Sequence, residues 1–256
     1  MVTIKSKKEI EKMREACKLN AWVYQEIEKV IKPGMTTMEL DKLAEQIIRE
    51  NGGIPAQKGY PSGEKNIPAF PGTLCISIND EVIHGIPSSK RVIQDGDVVS
   101  IDLVVYKGGF NGDAARTFII GKPSKEKQKL LDVTKQAFFE GIKYATKGNR
   151  IGDISHAIGE YVQKNGFSVV KEFQGHGIGK SIHEDPGIPN FGKPMRGQRL
   201  QPGMTLAIEP MVIAGKPNIL ILDDGWTVVT EDGSLSAHYE NTILITEKEP
   251  EILTLL

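Results

Sequence analysis

A chain of 256 residues with 39% hydrophobic and 25% charged side chains and a net charge of −1 has the length and balance of one large or two small soluble domains. The near-zero charge excludes a nucleic-acid footprint and a polybasic membrane patch, and no apolar run reaches membrane-spanning length. Cys17 and Cys75, with no paired spacing, argue against a disulfide framework and fit a reducing compartment; the charged stretch Met1–Lys8 has no apolar signal core, so a cytoplasmic protein is expected.

Ser6 to Val30 reads as a long helix. After Lys32-Pro33-Gly34, the spacing of Leu40, Leu43 and Ile47 predicts a second helix that closes at Asn51-Gly52. His84, before Gly85-Ile86-Pro87, falls at a loop-like position. Gln94 to Asp102 reads as a glycine turn feeding a strand, with Ser100 and Asp102 on one face and Val99 and Ile101 on the other. Gly108-Gly109 predicts a hairpin turn into Asn111–Ile120, a strand with Asp113 near its start. Ser124 suits the cap of a helix over Lys125–Ala145, and Ile154, Ile158, Tyr161 and Val162 predict another that stops at Asn165-Gly166. Gly175-His176-Gly177-Ile178-Gly179 reads as a histidine within a three-glycine turn, and His183 falls at a second loop-like position. Gln201 to Glu209 is again a glycine turn and a short strand ending in an acid. Ala237 to Ile245 predicts one continuous strand carrying Glu240, with His238 on the same face.

The chain echoes itself. Gln94–Asp102 aligns with Gln201–Glu209, and in a second register Gly34 lands on Gly148, Leu40 on Ile154, Asn51 on Asn165 and Gly52 on Gly166 without a gap. Each half thus runs helix, helix, strands and a carboxylate-bearing hairpin. With no linker between them, the halves, roughly 1–121 and 122–256, are expected to share one core as a single catalytic domain, the site lying where they meet. Taken singly, Asp113 beside a glycine is a turn former, Glu209 before Pro210 a surface strand end, and His176 a residue tolerating unusual backbone. Taken together, Asp102, Asp113, His176, Glu209 and Glu240 are four carboxylates and one imidazole, too much negative charge to gather without cations. Two divalent ions would neutralise them. Carboxylates with one nitrogen suit Mn²⁺, Fe²⁺ or Co²⁺ better than a thiolate zinc site. His238 competes for a ligand role by alternation; His156 and Cys17 read as structural.

These segments resemble type I methionine aminopeptidases of the bacterial kind over essentially the whole chain. The resemblance is carried by Cys75 to Asn79 with His84 to Pro87, Gly96 to Asp102, Asn111 to Asp113, Gly175 to Gly179 with His183-Glu184, Ile208 to Met211, and His238 to Thr242, all in order. It implies an α+β pita-bread fold, an antiparallel sheet flanked by helices with internal pseudo-two-fold symmetry. It implies that Asp102 chelates one ion, that Asp113 and Glu240 bridge both, and that His176 and Glu209 complete the set, with Co, Mn or Fe ahead of Zn. His84 and His183 carry over as substrate-contacting residues outside that set, and Cys75, Phe70 and Trp226 as the methionine pocket. Phe70 departs from the tyrosine expected there. Gly59 to Asn66 fits the pattern poorly and is left unassigned.

The implied reaction removes an N-terminal methionine from a peptide or nascent chain before a small second residue. Glu209 is the expected proton acceptor, His183 helps to stabilise the oxyanion, and His84 holds substrate or assists proton transfer. A monomer with transient ribosome contact is expected. The alternatives are a proline-directed peptidase of the same fold, disfavoured because little precedes Asp102, and a non-catalytic protein-binding relative, disfavoured because all five ligands are present. The short His183–Glu209 interval disfavours the type II enzyme.

Overall fold

The protein is described here as a computed structural model covering residues 2–255, so Met1 and Leu256, the outer bounds of the two expected halves, lie outside the described residues. Helices α1 (Lys7–Val30) and α2 (Thr37–Glu50) come first, followed by strands β1 (Ile54–Pro55), β2 (Cys75–Ile78), β3 (Glu81–Ile83), β4 (Val98–Lys107) and β5 (Phe110–Ile119). Helices α3 (Lys125–Ile142) and α4 (Ile151–Lys164) open the second half. Then come β6 (Ser168–Val169), β7 (Gln174–Gly177), β8 (Glu184–Pro189), β9 (Thr205–Ile208) and β10 (Met211–Ile213). The last strands are β11 (Ile219–Ile221), β12 (Val228–Thr230), β13 (Ser236–His238), β14 (Glu240–Leu244) and β15 (Glu251–Ile252).

Local chemistry sets the helix bounds. Ser6 with Glu9 and Thr36 with Glu39 form capping boxes, and the Ser124 side chain accepts from the Lys127 amide. Both α2 and α4 stop the same way: the amides of Asn51 and Asn165 each donate from Nδ2 to the carbonyl four residues back, at 2.8 Å, and Gly52 and Gly166 follow with positive φ. Helix α3 ends at Ile142 rather than Ala145. Gly141 there lies so close to Ile158 of α4 that a Cβ would come within 2.7 Å of it, and the chain turns away at Tyr144-Ala145.

A nine-stranded antiparallel sheet runs β1-β4-β5-β14-β9-β7-β8, with β2 also on β4 and β15 also on β14. Val99 and Ile101 pack under α1 and α2, and Leu206 and Ile208 pack under α3 and α4, so the apolar faces of the two echoed strands build the two main cores. Gly96 and Gly203, at φ 89° and 90°, make the turns that feed them. The β4–β5 hairpin turns at Gly108-Gly109 as expected.

The second half makes a longer hairpin broken into segments: β9, β10 and β11 pair in one register with β14, β13 and β12. β9 and β14 pair directly, yet β10 to β13 intervene in the chain and form two small three-stranded sheets, β13-β10-β6 and β11-β12-β3. The continuous strand expected over Ala237–Ile245 breaks at Tyr239. Asn241 pairs with Ile208 in the large sheet, whereas His238 pairs with Met211 in a small one. Pro210 has no N–H to offer a ladder, so both strands leave the large sheet at the same level. Glu209 and Glu240 stand at that corner.

Candidate metal centre

Register explains why acids distant in sequence meet. Cys75 faces Asp102, Asp102 faces Ala115, and Ala115 faces Glu240, which makes one row across β2, β4, β5 and β14. The neighbouring row runs from Asp113 through Thr242 and Ala207 to His176. Paired residues share a face, and Ala115 and Ala207 leave space at the centre of each row. Thr242 replaces a ladder bond by accepting from the Asp113 amide at 3.0 Å and donating to its carbonyl at 2.8 Å. Glu209 lies two residues beyond Ala207, on the same face.

His176 is on β7, not in a turn. Its flanking glycines have a different purpose: a Cβ on Gly175 would collide with the Ala207 carbonyl, and one on Gly177 with the Asp185 carbonyl. Gly175→Ala is therefore expected to destabilise the protein by about 1–3 kcal/mol, as overpacking does, read as a lower urea midpoint; an unchanged midpoint would show that β7 is not held by that contact.

One cluster results. Ligand atoms of Asp113, His176 and Glu240 lie within 4.8 Å of one another. His176 Nε2 is 3.5 Å from Glu209 Oε1 and 3.8 Å from Asp113 Oδ2. Asp102 lines the same cavity, of about 270 Å³. Burial, then the neighbouring carboxylates, push Asp113, Glu209 and Glu240 well above the usual carboxylate range; burial takes Asp102 to about 7. Four acids this close cannot all ionise without positive charge.

The donor set fits divalent cations. Asp102 Oδ1, Asp113 Oδ1 and Glu240 Oε1 are buried with no hydrogen-bond partner among the described residues. His176 Nδ1 lies 2.9 Å from the Gly177 carbonyl, so its N–H is used there and the Nε2 lone pair faces the acids. Burial, then the nearby His183, lowers the His176 pKa to about 4, leaving the imidazole neutral as a ligand must be.

The rest of the cavity is a pocket with aromatic walls. Phe70 and Trp226 meet edge to face at 5.3 Å, and Trp226 Nε1 donates to the Pro68 carbonyl at 2.9 Å. His84 follows β3 at φ 59° and stands between Phe173 and Trp226, its pKa lowered to about 4 by burial and by His183. His183 stacks edge-on against His176, ring centres 4.4 Å apart. The ten residues that the resemblance assigns to the site all line this one cavity.

The structure adds three. Tyr60, in the stretch left unassigned, places its hydroxyl 2.7 Å from His183 Nδ1. Gln57 donates to Cys75 Sγ at 3.5 Å and accepts from the Val104 amide at 3.3 Å. Phe173 walls the pocket opposite His84. None has a signal in its own sequence neighbourhood, because long-range packing places each. His238, off the large sheet, still has its buried Nε2 3.7 Å from Glu209 Oε2; burial, then His84 and Arg116, push its pKa to about 3.

The model of metallopeptidase family M24 matches residues 11–247. The chain belongs to metallopeptidase family M24. Among M24 relatives, a methionine aminopeptidase from Clostridium acetobutylicum is 52% identical over 255 residues, which is 100% of this chain and 99% of that one. A solved methionine aminopeptidase from Thermotoga maritima superposes with a TM-score of 0.95 at 44% identity, covering 100% of both chains. A prolidase from Pyrococcus furiosus superposes at 0.77 with 24% identity over 99% of this chain and 65% of its own, a likeness of fold alone. The M24 pita-bread fold, mixed helix and antiparallel sheet, is thus the one expected.

Proposed function

We propose that the chain is a metal-dependent methionine aminopeptidase, removing the N-terminal methionine of peptides and nascent chains that carry a small second residue. The observation that carries this is the Asp113–His176–Glu240 cluster at the floor of a cavity walled by Phe70, Cys75 and Trp226, in a chain 52% identical to a relative of that name. Asp102, Asp113, His176, Glu209 and Glu240 would hold two ions, Co, Mn or Fe ahead of Zn, with Asp113 and Glu240 shared between them. Bound divalent ions would neutralise the acids, acidify a water and polarise the scissile carbonyl.

The chain's own groups supply the rest. Glu209 takes the proton from the attacking water and returns it to the leaving amine. The Tyr60 hydroxyl lies 2.7 Å from His183 Nδ1; in the tautomer where Nδ1 accepts from it, Nε2–H is free to donate to the developing oxyanion. His84, neutral at pH 7, holds the substrate backbone. The aromatic walls and the Cys75 thiol accept an unbranched thioether. Matched helix caps and glycine turns support two pseudo-repeat halves of one catalytic domain, and the free, buried Cys17 and Cys75 suit a reducing cytoplasm. A monomer touching the ribosome only transiently completes the reading. No described helix is long and apolar enough to cross a membrane.

Release of methionine from Met-Ala-Ser by Mn²⁺- or Co²⁺-loaded protein, with no cleavage of an Xaa-Pro peptide, is the expected result. The opposite preference would overturn the assignment. His84→Ala and His183→Ala should each lower kcat by roughly 10²-fold with metal content intact; loss of metal would show them to be ligands instead.

A further inference from the structure

We infer that Lys5 is a positioning residue for His183: its buried ammonium pairs with Glu184 and fixes the loop that carries the imidazole. The N-terminal stretch is charged, yet the Lys5 and Glu184 side chains are only 5% and 12% exposed, with Nζ 2.7 Å from Oε2. Thr3 Oγ1 donates to the same oxygen at 2.6 Å and accepts from the Lys5 ammonium. The other carboxylate oxygen of Glu184 accepts from the Ser181 amide at 3.3 Å. The Lys5 amide donates to the Gly203 carbonyl at 2.8 Å, which anchors the segment on the turn before β9.

The loop is held at both ends. At its start Asn111 of β5 donates from its backbone N–H to the Gly179 carbonyl at 2.9 Å and from Nδ2 to the Gly179 and Lys180 carbonyls at 3.0 and 3.1 Å. At its end stands the Lys5–Glu184 pair, packed so closely that a Cβ on Gly179 would lie 2.6 Å from Glu184 Oε1 and 2.9 Å from Lys5 Nζ. His183, the residue before Glu184, is thereby set against His176 and Tyr60.

A buried ion pair is a poor stability device, because desolvating two charges offsets most of their attraction. Its value lies in geometry. Burial works to raise the Glu184 pKa, and the bonds from Lys5 and Thr3 outweigh it, holding the carboxylate below its usual range. Without the ammonium, the half-buried Glu184 loses its charged partner and turns towards water, carrying the adjacent His183 away. Displacement of about 1 Å at a catalytic group can cost 10²-fold in rate.

This inference rests on the role of His183 proposed above, and a double-substitution cycle on the full, metal-loaded chain separates the two. Lys5→Met keeps the alkyl stem and removes the charge. It should lower kcat for Met-Ala-Ser about tenfold or more, with KM within about twofold and metal content unchanged. In a His183→Ala background the same change should alter kcat less than about twofold, since residues acting as a unit are not additive. Equal loss in both backgrounds, or no loss in the first, would overturn the inference and leave the peptidase assignment standing. A His183→Ala variant with normal kcat would overturn both roles. If Lys5→Met does not fold, Lys5→Gln goes through the same cycle under the same criteria, removing the charge while keeping a polar end near Glu184.

Discussion

Glu209→Gln in the metal-loaded protein is expected to lower kcat for Met-Ala-Ser by roughly 10²–10⁴-fold, with KM little changed. Glutamine keeps the shape of the side chain and an oxygen to face His176 Nε2, 3.5 Å from the native carboxylate. It cannot accept a proton from water or deliver one to the leaving amine. Glu209 is placed for both steps, its carboxylate lining the cavity beside the acid cluster, 3.5 Å from His176 Nε2. Its place is secured by backbone as well: Asn190 Nδ2 donates to the Glu209 carbonyl at 2.9 Å, and Pro210 starts the exit from the large sheet. Loss of an interaction made only in the transition state lowers kcat and kcat/KM together. Unchanged turnover with metal still bound would remove Glu209 from the base role.

What was legible in the sequence is what local chemistry decides. Ser124 caps its helix by accepting from the amide three residues on, and Asn51 and Asn165 close theirs with a bond to the carbonyl four back. The alternation around Asp102 survives because Val99 and Ile101 have helices to pack beneath. Where the sequence misled, a distant backbone was in control. Gly175 and Gly177 look like turn residues, but their small size admits Ala207 and Asp185 carbonyls from other strands. Tyr239 interrupts a strand that alternation runs straight through, because Pro210, opposite it between β9 and β10, has no N–H for the ladder, which resumes at Met211 and His238. Tyr60 and Gln57 reach the cavity from a loop with no period at all, and Lys5 sits in a run of charge that gives no hint of burial.

Stripping the protein with a chelator should abolish methionine release and make the fold pH-sensitive in a set direction. Asp102 titrates near 7 in the fold against an ordinary 3.8, and Asp113, Glu209 and Glu240 are raised well above their ordinary values, burial being the largest cause in each. Folded chains therefore hold protons that unfolded chains release, so the stripped protein loses stability as pH rises from about 4 towards the folded values. The histidines act oppositely. His84 and His176, lowered to about 4, and His238, lowered to about 3, contribute rising stability up to the ordinary value of 6.5 and a constant amount above it. Between pH 6.5 and 8.5 the carboxylates dominate the slope, the buried Cys17 and Cys75 thiols adding to it in the same sense towards 8.5, and the melting temperature of the stripped protein should fall. Mn²⁺ supplies the missing counter-charge and displaces the shared protons. At about 100 times Kd it adds about 2.7 kcal/mol, or about 5–10 °C for a chain of this size, and the gain should be larger at pH 8.5 than at 6.5. A stripped protein whose melting point is flat across that interval, or a Mn²⁺ gain that ignores pH, would mean that the acids do not share one unscreened cluster.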